Sequence, residues 1–227
     1  MTLKNKAILI ISPHLDDEVI GCGGLLEAAR RQKAKVFVLY ICSGRSRQLV
    51  TGRTSNDVRL KELEAVAQSG HFQYKILFTG DEFMRLDQVA QKDLVDPIED
   101  QIEAFKPDIV CVPFRDSYNQ DHRPVYTACL AALRPIPQTI RHFVSVVLMY
   151  DEPYSWTVNE LFKPNWYLDI SGFETKKAEL MRLYATQNRA EPFPRSGENL
   201  IRYARIRGSE IGVQAAEAYQ LLRGVMR

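Results

Sequence analysis

Apolar residues in this chain come in short unbroken runs separated by longer stretches of mixed character. Residues 7–11, 36–42 and 109–112 are continuously apolar and rich in Ile and Val, the pattern of strands buried on both faces. Residues 74–78, 143–150 and 166–170 predict three further strands. Between them, residues 19–32, 56–69, 91–105, 122–133 and 171–185 predict helices, and residues 214–222 a last one. Residues 43–55, 81–86, 113–121 and 191–208 predict loops. The punctuation agrees with this division. Ser55 or Asn56 suits a helix N-cap and Gly70 a stop. Pro97 is expected in or near the first turn of its helix. Ser171, with Glu174 three residues on, has the capping-box spacing.

Strand, helix and strand within about forty residues make a βαβ unit. The alternation continues without repeats, low-complexity tracts or a linker. It predicts one α/β domain over residues 1–227, with a mostly parallel sheet and helices on both faces. Such sheets bind ligands beyond the carboxyl ends of their strands. That rule ranks the polar loops at residues 14–18, 43–56 and 114–122 above the others.

Composition removes several function classes. A net charge of +2 over 227 residues, with no Lys/Arg stripe, gives no footprint for nucleic acid. No run approaches the ~18 apolar residues of a membrane helix. Polar residues 1–6 precede an apolar run too short for a signal-peptide core, so a cytoplasmic protein is expected. Cys22, Cys42, Cys111 and Cys129 are scattered without CxxC spacing, and buried free thiols are expected.

The chemistry concentrates in ILIISPHLDDEVIGCGG, residues 8–24. An apolar strand ends in His14, Asp16, Asp17 and Glu18, then in a Gly-rich turn entering a helix. A packed core does not hold three adjacent acids without compensation, and a divalent metal is the simplest one. His122 follows another strand. Two imidazoles and one carboxylate form a common set for catalytic zinc, which lowers the pKa of a bound water toward ~7. The other carboxylate can then take the water's proton. Each piece alone is commonplace. A lone His at a strand end is usually a surface residue, and a DDE run usually serves a helix dipole. The GCGG stretch lacks the G-x-G-x-x-G spacing of a dinucleotide fingerprint. The convergence of both histidines on the ligand edge of the sheet favours the site.

Ser12 to Glu18 with Gly21, Gly23 and Gly24 resembles the PHPDDE…G.GG signature of the LmbE-like (PIG-L) de-N-acetylase family. Arg59 to Glu62 with Ala65, Asp121-His122-Arg123, Lys177-Ala178 with Thr186-Gln187, and Ala216 to Tyr219 resemble its later blocks in order. The resemblance implies a Rossmann-like fold and a zinc-dependent hydrolase that removes the acetyl group from an N-acetylated amino sugar, such as an N-acetylglucosamine conjugate. Carried over, His14, Asp17 and His122 would bind zinc, with iron or cobalt able to use the same donors. Asp16 would be the general base, Arg59 would hold substrate or orient the acids, and Asp121 would orient an imidazole. Leu15 replaces the motif's second Pro. Asn119 stands where many members carry a histidine assigned to transition-state stabilisation or acid catalysis. Asn can donate a hydrogen bond to an oxyanion but cannot deliver a proton, which leaves three outcomes: Asp16 serves as the acid, a neighbour such as Tyr118 contributes, or the activity is reduced.

Two other readings stay open: a sugar or sugar-phosphate binding protein without turnover, and a zinc amidase for another N-acyl compound. The rim is expected to draw on Arg45, Arg47 and Arg53, on residues 81–85, and on Tyr154, Trp156 and Trp166. The expected partner is a small amino-sugar conjugate, and assembly into a homo-oligomer is left open.

Overall fold

The computed structural model of the protein describes residues 2–44, 46–48, 52–80, 84–152 and 160–226. The chain runs β1 (Ala7–Ser12), α1 (Asp17–Arg31), β2 (Lys35–Ser43), β3 (Ser46–Gln48), β4 (Gly52–Thr54), α2 (Asn56–Gly70) and β5 (Gln73–Thr79). A 3₁₀ turn at Leu86–Gln88 leads into α3 (Gln91–Phe105), β6 (Ile109–Val112), α4 (His122–Ala132), β7 (Val146–Tyr150), β8 (Trp166–Asp169), α5 (Thr175–Leu183), α6 (Gly197–Ser209) and β9 (Ala216–Gly224). Seven strands form one sheet in the order β5-β2-β1-β6-β7-β9-β8. The first five are parallel, and β9 runs antiparallel to both its neighbours. This is the α/β architecture that the alternation predicts.

Period-2 alternation of strand side chains sorts the core into two layers. Ile8 and Ile10 pack with Val19, Ile20 and Leu25 of α1, Leu63 and Val66 of α2, and Met181 of α5. Leu9 and Ile11 face the other way, onto Leu94 and Ile98 of α3 and Val125 and Cys129 of α4. Both faces of β1 are therefore dry, which is why its sequence shows no polar alternation. The four cysteines are free and buried. Among the described residues, no helix is long and apolar enough to cross a membrane.

The C-terminal third departs from the sequence reading. Residues 214–222 predict a helix, yet Ala216–Gly224 is a strand between β7 and β8. Its Ala, Glu, Gln and Leu are good helix formers, but long-range bonds override that weak preference. Residues 191–208 predict a loop, yet Gly197–Ser209 is a helix. The Ser196 hydroxyl caps it by accepting from Asn199 N at 3.1 Å, and it buries Gly197, Leu200, Ala204 and Gly208. Helix α5 begins at Thr175 rather than at 171, because Gly172 has φ +80° and Ser171 Oγ accepts from Ala215 N instead of capping. Pro97 lies in the second turn of α3, which starts six residues earlier at Gln91. The predicted loop 43–55 contains the β3–β4 hairpin.

The Gly-rich stretch is helix interior, not a turn. A Cβ on Gly21 would stand 2.3 Å from Tyr150 Cδ2, and one on Gly24 would stand 2.8 Å from Ile170 Cγ2. These glycines let α1 lie close against the strands. Glu217 of β9 completes the joint, accepting from Gly24 N at 2.7 Å, Leu25 N at 2.8 Å and Lys177 Nζ at 2.8 Å.

Candidate metal centre and active site

The carboxyl ends of the parallel strands deliver the site. β1 ends at Ser12, and the next six residues carry His14, Asp16, Asp17 and Glu18. β6 ends at Val112 and opens the loop that carries Asn119 and Asp121 up to His122, the first residue of α4. β7 ends at Tyr150 and is followed by Asp151 and Glu152. His14, Asp16, Asp17, Glu18, Asp121, His122 and Glu152 are all buried.

Asp17 Oδ2 lies 3.6 Å from His14 Nδ1 and 3.3 Å from His122 Nε2, and the two rings stand 5.5 Å apart. One atom from each of the three residues lies within 4.8 Å of the others. The far side of each ring is held by a carboxylate. His14 Nε2 donates to Asp121 Oδ2 at 2.8 Å, and His122 Nδ1 donates to Glu152 Oε1 at 2.6 Å. Asp121 is tied in turn by Leu86 N at 3.0 Å, and Glu152 by Ser117 Oγ at 3.0 Å. Such carboxylate–imidazole pairs fix the tautomer that turns the other ring nitrogen toward a metal. The donor set fits a divalent ion: two imidazoles and one carboxylate, converging and dry.

The electrostatics agree with that fit. Burial opposes ionisation of Asp17, but His122 and His14 outweigh it and hold the carboxyl far below the usual range. Burial likewise opposes a charged His122 ring, yet Glu152 and Asp17 push its pKa up to about 10. His14 is also raised, with Cys42, Asp121 and Asp17 prevailing over burial. The site is thus built to hold positive charge.

Asp16 is different. Its backbone sits at φ 116°, ψ −24°, a conformation that costs a non-Gly residue roughly 1–3 kcal/mol. Its carbonyl starts α1, accepting from Val19 N and Ile20 N, but its carboxylate makes no capping bond. Instead Oδ2 accepts from Arg195 Nη1 at 3.0 Å. The Asp16 N–H donates to Glu18 Oε2 at 3.1 Å, and Glu18 Oε1 accepts from Tyr184 OH at 2.8 Å. A fully buried carboxyl therefore braces the strained turn, and burial pushes Glu18 up to about 8. Burial also raises Asp16, against the pull of Arg195. Adjacent carboxyls driven in opposite directions, Asp17 down and Asp16 up, are the arrangement that separates a ligand from a proton carrier.

Residues 9–133, more than half of the chain, match the family of GlcNAc-PI de-N-acetylases, PIG-L. The chain belongs to the PIG-L family. Solved structures share its fold at low identity. N,N'-diacetylchitobiose deacetylase from Pyrococcus horikoshii is 21% identical, with TM-score 0.75 over 96% of this chain and 84% of its own. The A40926 pseudoaglycone deacetylase Dbv21 is 22% identical, with TM-score 0.73 over 99% and 100%. The 4-carboxy-2-hydroxymuconate hydratase GalB from Pseudomonas putida is 20% identical, with TM-score 0.76 over 98% of each chain. The architecture thus recurs in a hydratase as well as in deacetylases.

The other residues singled out from this PIG-L sequence stand as follows. Arg59 is buried and donates from Nη2 to Leu15 O at 2.7 Å, bracing the loop that carries the acids. Asn119 Oδ1 accepts from Asp121 N at 3.1 Å, which commits its oxygen to the turn and leaves the amide nitrogen as donor. Tyr118 is half exposed, and its hydroxyl feels Arg195, Glu152, Asp17 and Asp16. Of the expected rim, Arg45, residues 81–83, Tyr154 and Trp156 lie outside the described residues, as do the side chains of Arg47 and Arg53. Trp166 packs edge-on against Tyr219 at 5.5 Å in the sheet. Glu152, Arg195 and Tyr184 were not singled out from the sequence. The signal for Glu152 was its place just past a parallel strand; Arg195 and Tyr184 carried none.

Proposed function

We propose that this protein removes the acetyl group from an N-acetylated amino sugar, an N-acetylglucosamine-type conjugate. The carrying observation is the buried His14–Asp17–His122 cluster, each imidazole backed by a carboxylate, beside a strained Asp16. His14 Nδ1, an Asp17 oxygen and His122 Nε2 would hold zinc, which supplies a Lewis acid for the acetamide carbonyl and lowers the pKa of water. Asp16 accepts the proton of the attacking water. The Asn119 amide nitrogen donates to the oxyanion that develops on the carbonyl oxygen. As the C–N bond breaks, Asp16 returns the proton to the leaving nitrogen, giving acetate and a free amine. Its raised pKa suits a group that must both take and give a proton near neutral pH. Arg59 keeps Asp16 and Asp17 in register through Leu15.

Asp16→Asn tests the assignment. It is expected to retain about one zinc per chain by mass spectrometry while acetate release falls by at least 10²-fold, the usual scale for a positioned acid–base group. An Asp16→Asn protein with wild-type turnover would remove Asp16 from the mechanism. Acetate from N-acyl amino acids but from no sugar would favour the amidase reading. The hydratase on the same fold sets a further alternative, which acetate release from the wild type excludes.

A further inference from the structure

The ring of His14 has a second group of donors behind it. Asp121 Oδ2 lies 2.8 Å from His14 Nε2, and Asp121 Oδ1 accepts from Leu86 N at 3.0 Å. Cys42, next to last in β2, adds a thiol. Its Sγ donates to Pro13 O at 3.5 Å, and its backbone N–H donates to the same oxygen at 3.0 Å. β1 and β2 are parallel neighbours, so Cys42 and the loop carrying His14 emerge at one edge of the sheet. One donor atom from each of His14, Cys42 and Asp121 lies within 4.8 Å of the others, and all three side chains are buried. Cys22, Cys111 and Cys129 stand in no such group among the described residues. His14 thus belongs to two donor groups, with Asp17 and His122 in one and with Cys42 and Asp121 in the other.

We infer that Cys42, Asp121 and Nε2 of His14 form a second metal site, for a thiophilic divalent ion, and that filling it withdraws His14 from the His14–Asp17–His122 centre. The site rests on its own three donors; only the withdrawal rests on the metal reading of that centre. A sulfur ligand favours softer ions than the sulfur-free set of two imidazoles and a carboxylate. The thiolate is the form of cysteine that ligates. Coordination therefore takes the protons of the Cys42 thiol and of His14 Nε2, which pass to water, while Nδ1 keeps its own. A ring that gives Nε2 to one ion and keeps the Nδ1 proton has no lone pair left for the other ion. The two sites are thus antagonists, and a thiophilic ion inhibits by capturing His14 from behind.

Cadmium is the probe, because a cadmium–thiolate bond has an ultraviolet charge-transfer band that cadmium on imidazole and carboxylate lacks. The metal-free full chain is titrated with cadmium as wild type, Cys42→Ala, Cys42→Ser and His122→Ala. The band is expected in the wild type and in His122→Ala, which breaks only the first centre, and is lost in both Cys42 variants. Cys42→Ser keeps the side-chain size, so a folding defect in Cys42→Ala does not decide the result. No band in the wild type, or a band that survives in the Cys42 variants, would overturn the site. Zinc added next should discharge the band in the wild type at concentrations that leave it in His122→Ala. Zinc that leaves the wild-type band intact, or that discharges both alike, would overturn the withdrawal of His14. These readings need no acetate release, so they stand apart from the deacetylase reading. On the zinc-loaded protein, cadmium should abolish acetate release in the wild type and spare it in Cys42→Ser, each measured against its own cadmium-free rate.

Discussion

Glu152 offers the sharpest test of the metal centre, because it meets a proposed ligand at its far nitrogen, on the side away from the metal. Its Oε1 lies 2.6 Å from His122 Nδ1, and both side chains are buried. Glu152→Ala removes a charge-assisted bond worth roughly 1.5–3 kcal/mol. Loss of such a carboxylate behind a ligating histidine typically weakens metal binding 10–100-fold, about 1.4–2.7 kcal/mol. The two scales agree, so about 30-fold is expected for Ala. About 10-fold is expected for Glu152→Gln, whose oxygen still accepts from Nδ1 without a charge. The pH dependence has a definite sign. Glu152 and Asp17 hold a proton on His122 up to about 10 in the metal-free protein. Below that pH the proton competes with the metal, more strongly in the wild type than in the variants. The deficit should therefore be largest at alkaline pH and narrow as pH falls. Zinc competition against a chelator across pH measures it. Coincident wild-type and variant curves at alkaline pH, or a deficit that grows toward acid, would refute the reasoning.

Further predictions follow from the same geometry. Zinc binding near neutral pH should release close to two protons, one each from His14 and His122, because both rings are raised while Asp17 is already ionised. Calorimetry in buffers of different ionisation enthalpy counts them, and zero release would contradict the protonation states. Gly21→Ala should destabilise by about 1–3 kcal/mol, since its Cβ meets the buried Tyr150 ring at 2.3 Å; an unchanged urea midpoint would mean that the ring yields freely. Lys177→Met strands Glu217 without its buried cation at 2.8 Å and should cost roughly 3–5 kcal/mol. Adding Glu217→Gln should recover part of that loss, and a double variant as unstable as the sum would argue against a direct pair.

The first two-thirds of the fold is legible because β1, β2 and β6 are short, almost wholly buried apolar runs and the loops after them are polar in sequence. A run such as residues 7–11 has no other soluble destination, and four ionisable groups straight after it cannot be core. The sequence therefore carries His14, Asp16 and Asp17 openly, and the strand-end rule brings His122 to the same edge. The same rule, applied to the strand ending at Tyr150, would have reached Glu152, but one Glu in a DE pair has no signature of its own. The C-terminal third obeys a different logic. Glu217 sits in a helix-forming stretch, yet its carboxylate is satisfied by Gly24 N, Leu25 N and Lys177 Nζ, some forty and more residues away. Those partners make residues 216–224 a strand, and no local pattern announces them. The glycines that invite comparison with a phosphate loop belong to the same joint. Gly21 admits the Tyr150 ring, and Gly24 admits Ile170 and Glu217. Tyr150 OH in turn donates to Ile11 O at 3.1 Å, one residue before the end of β1. The glycines and β9 thus act together, pressing α1 against the sheet so that its first turn, with Asp16 and Asp17, is fixed opposite His122.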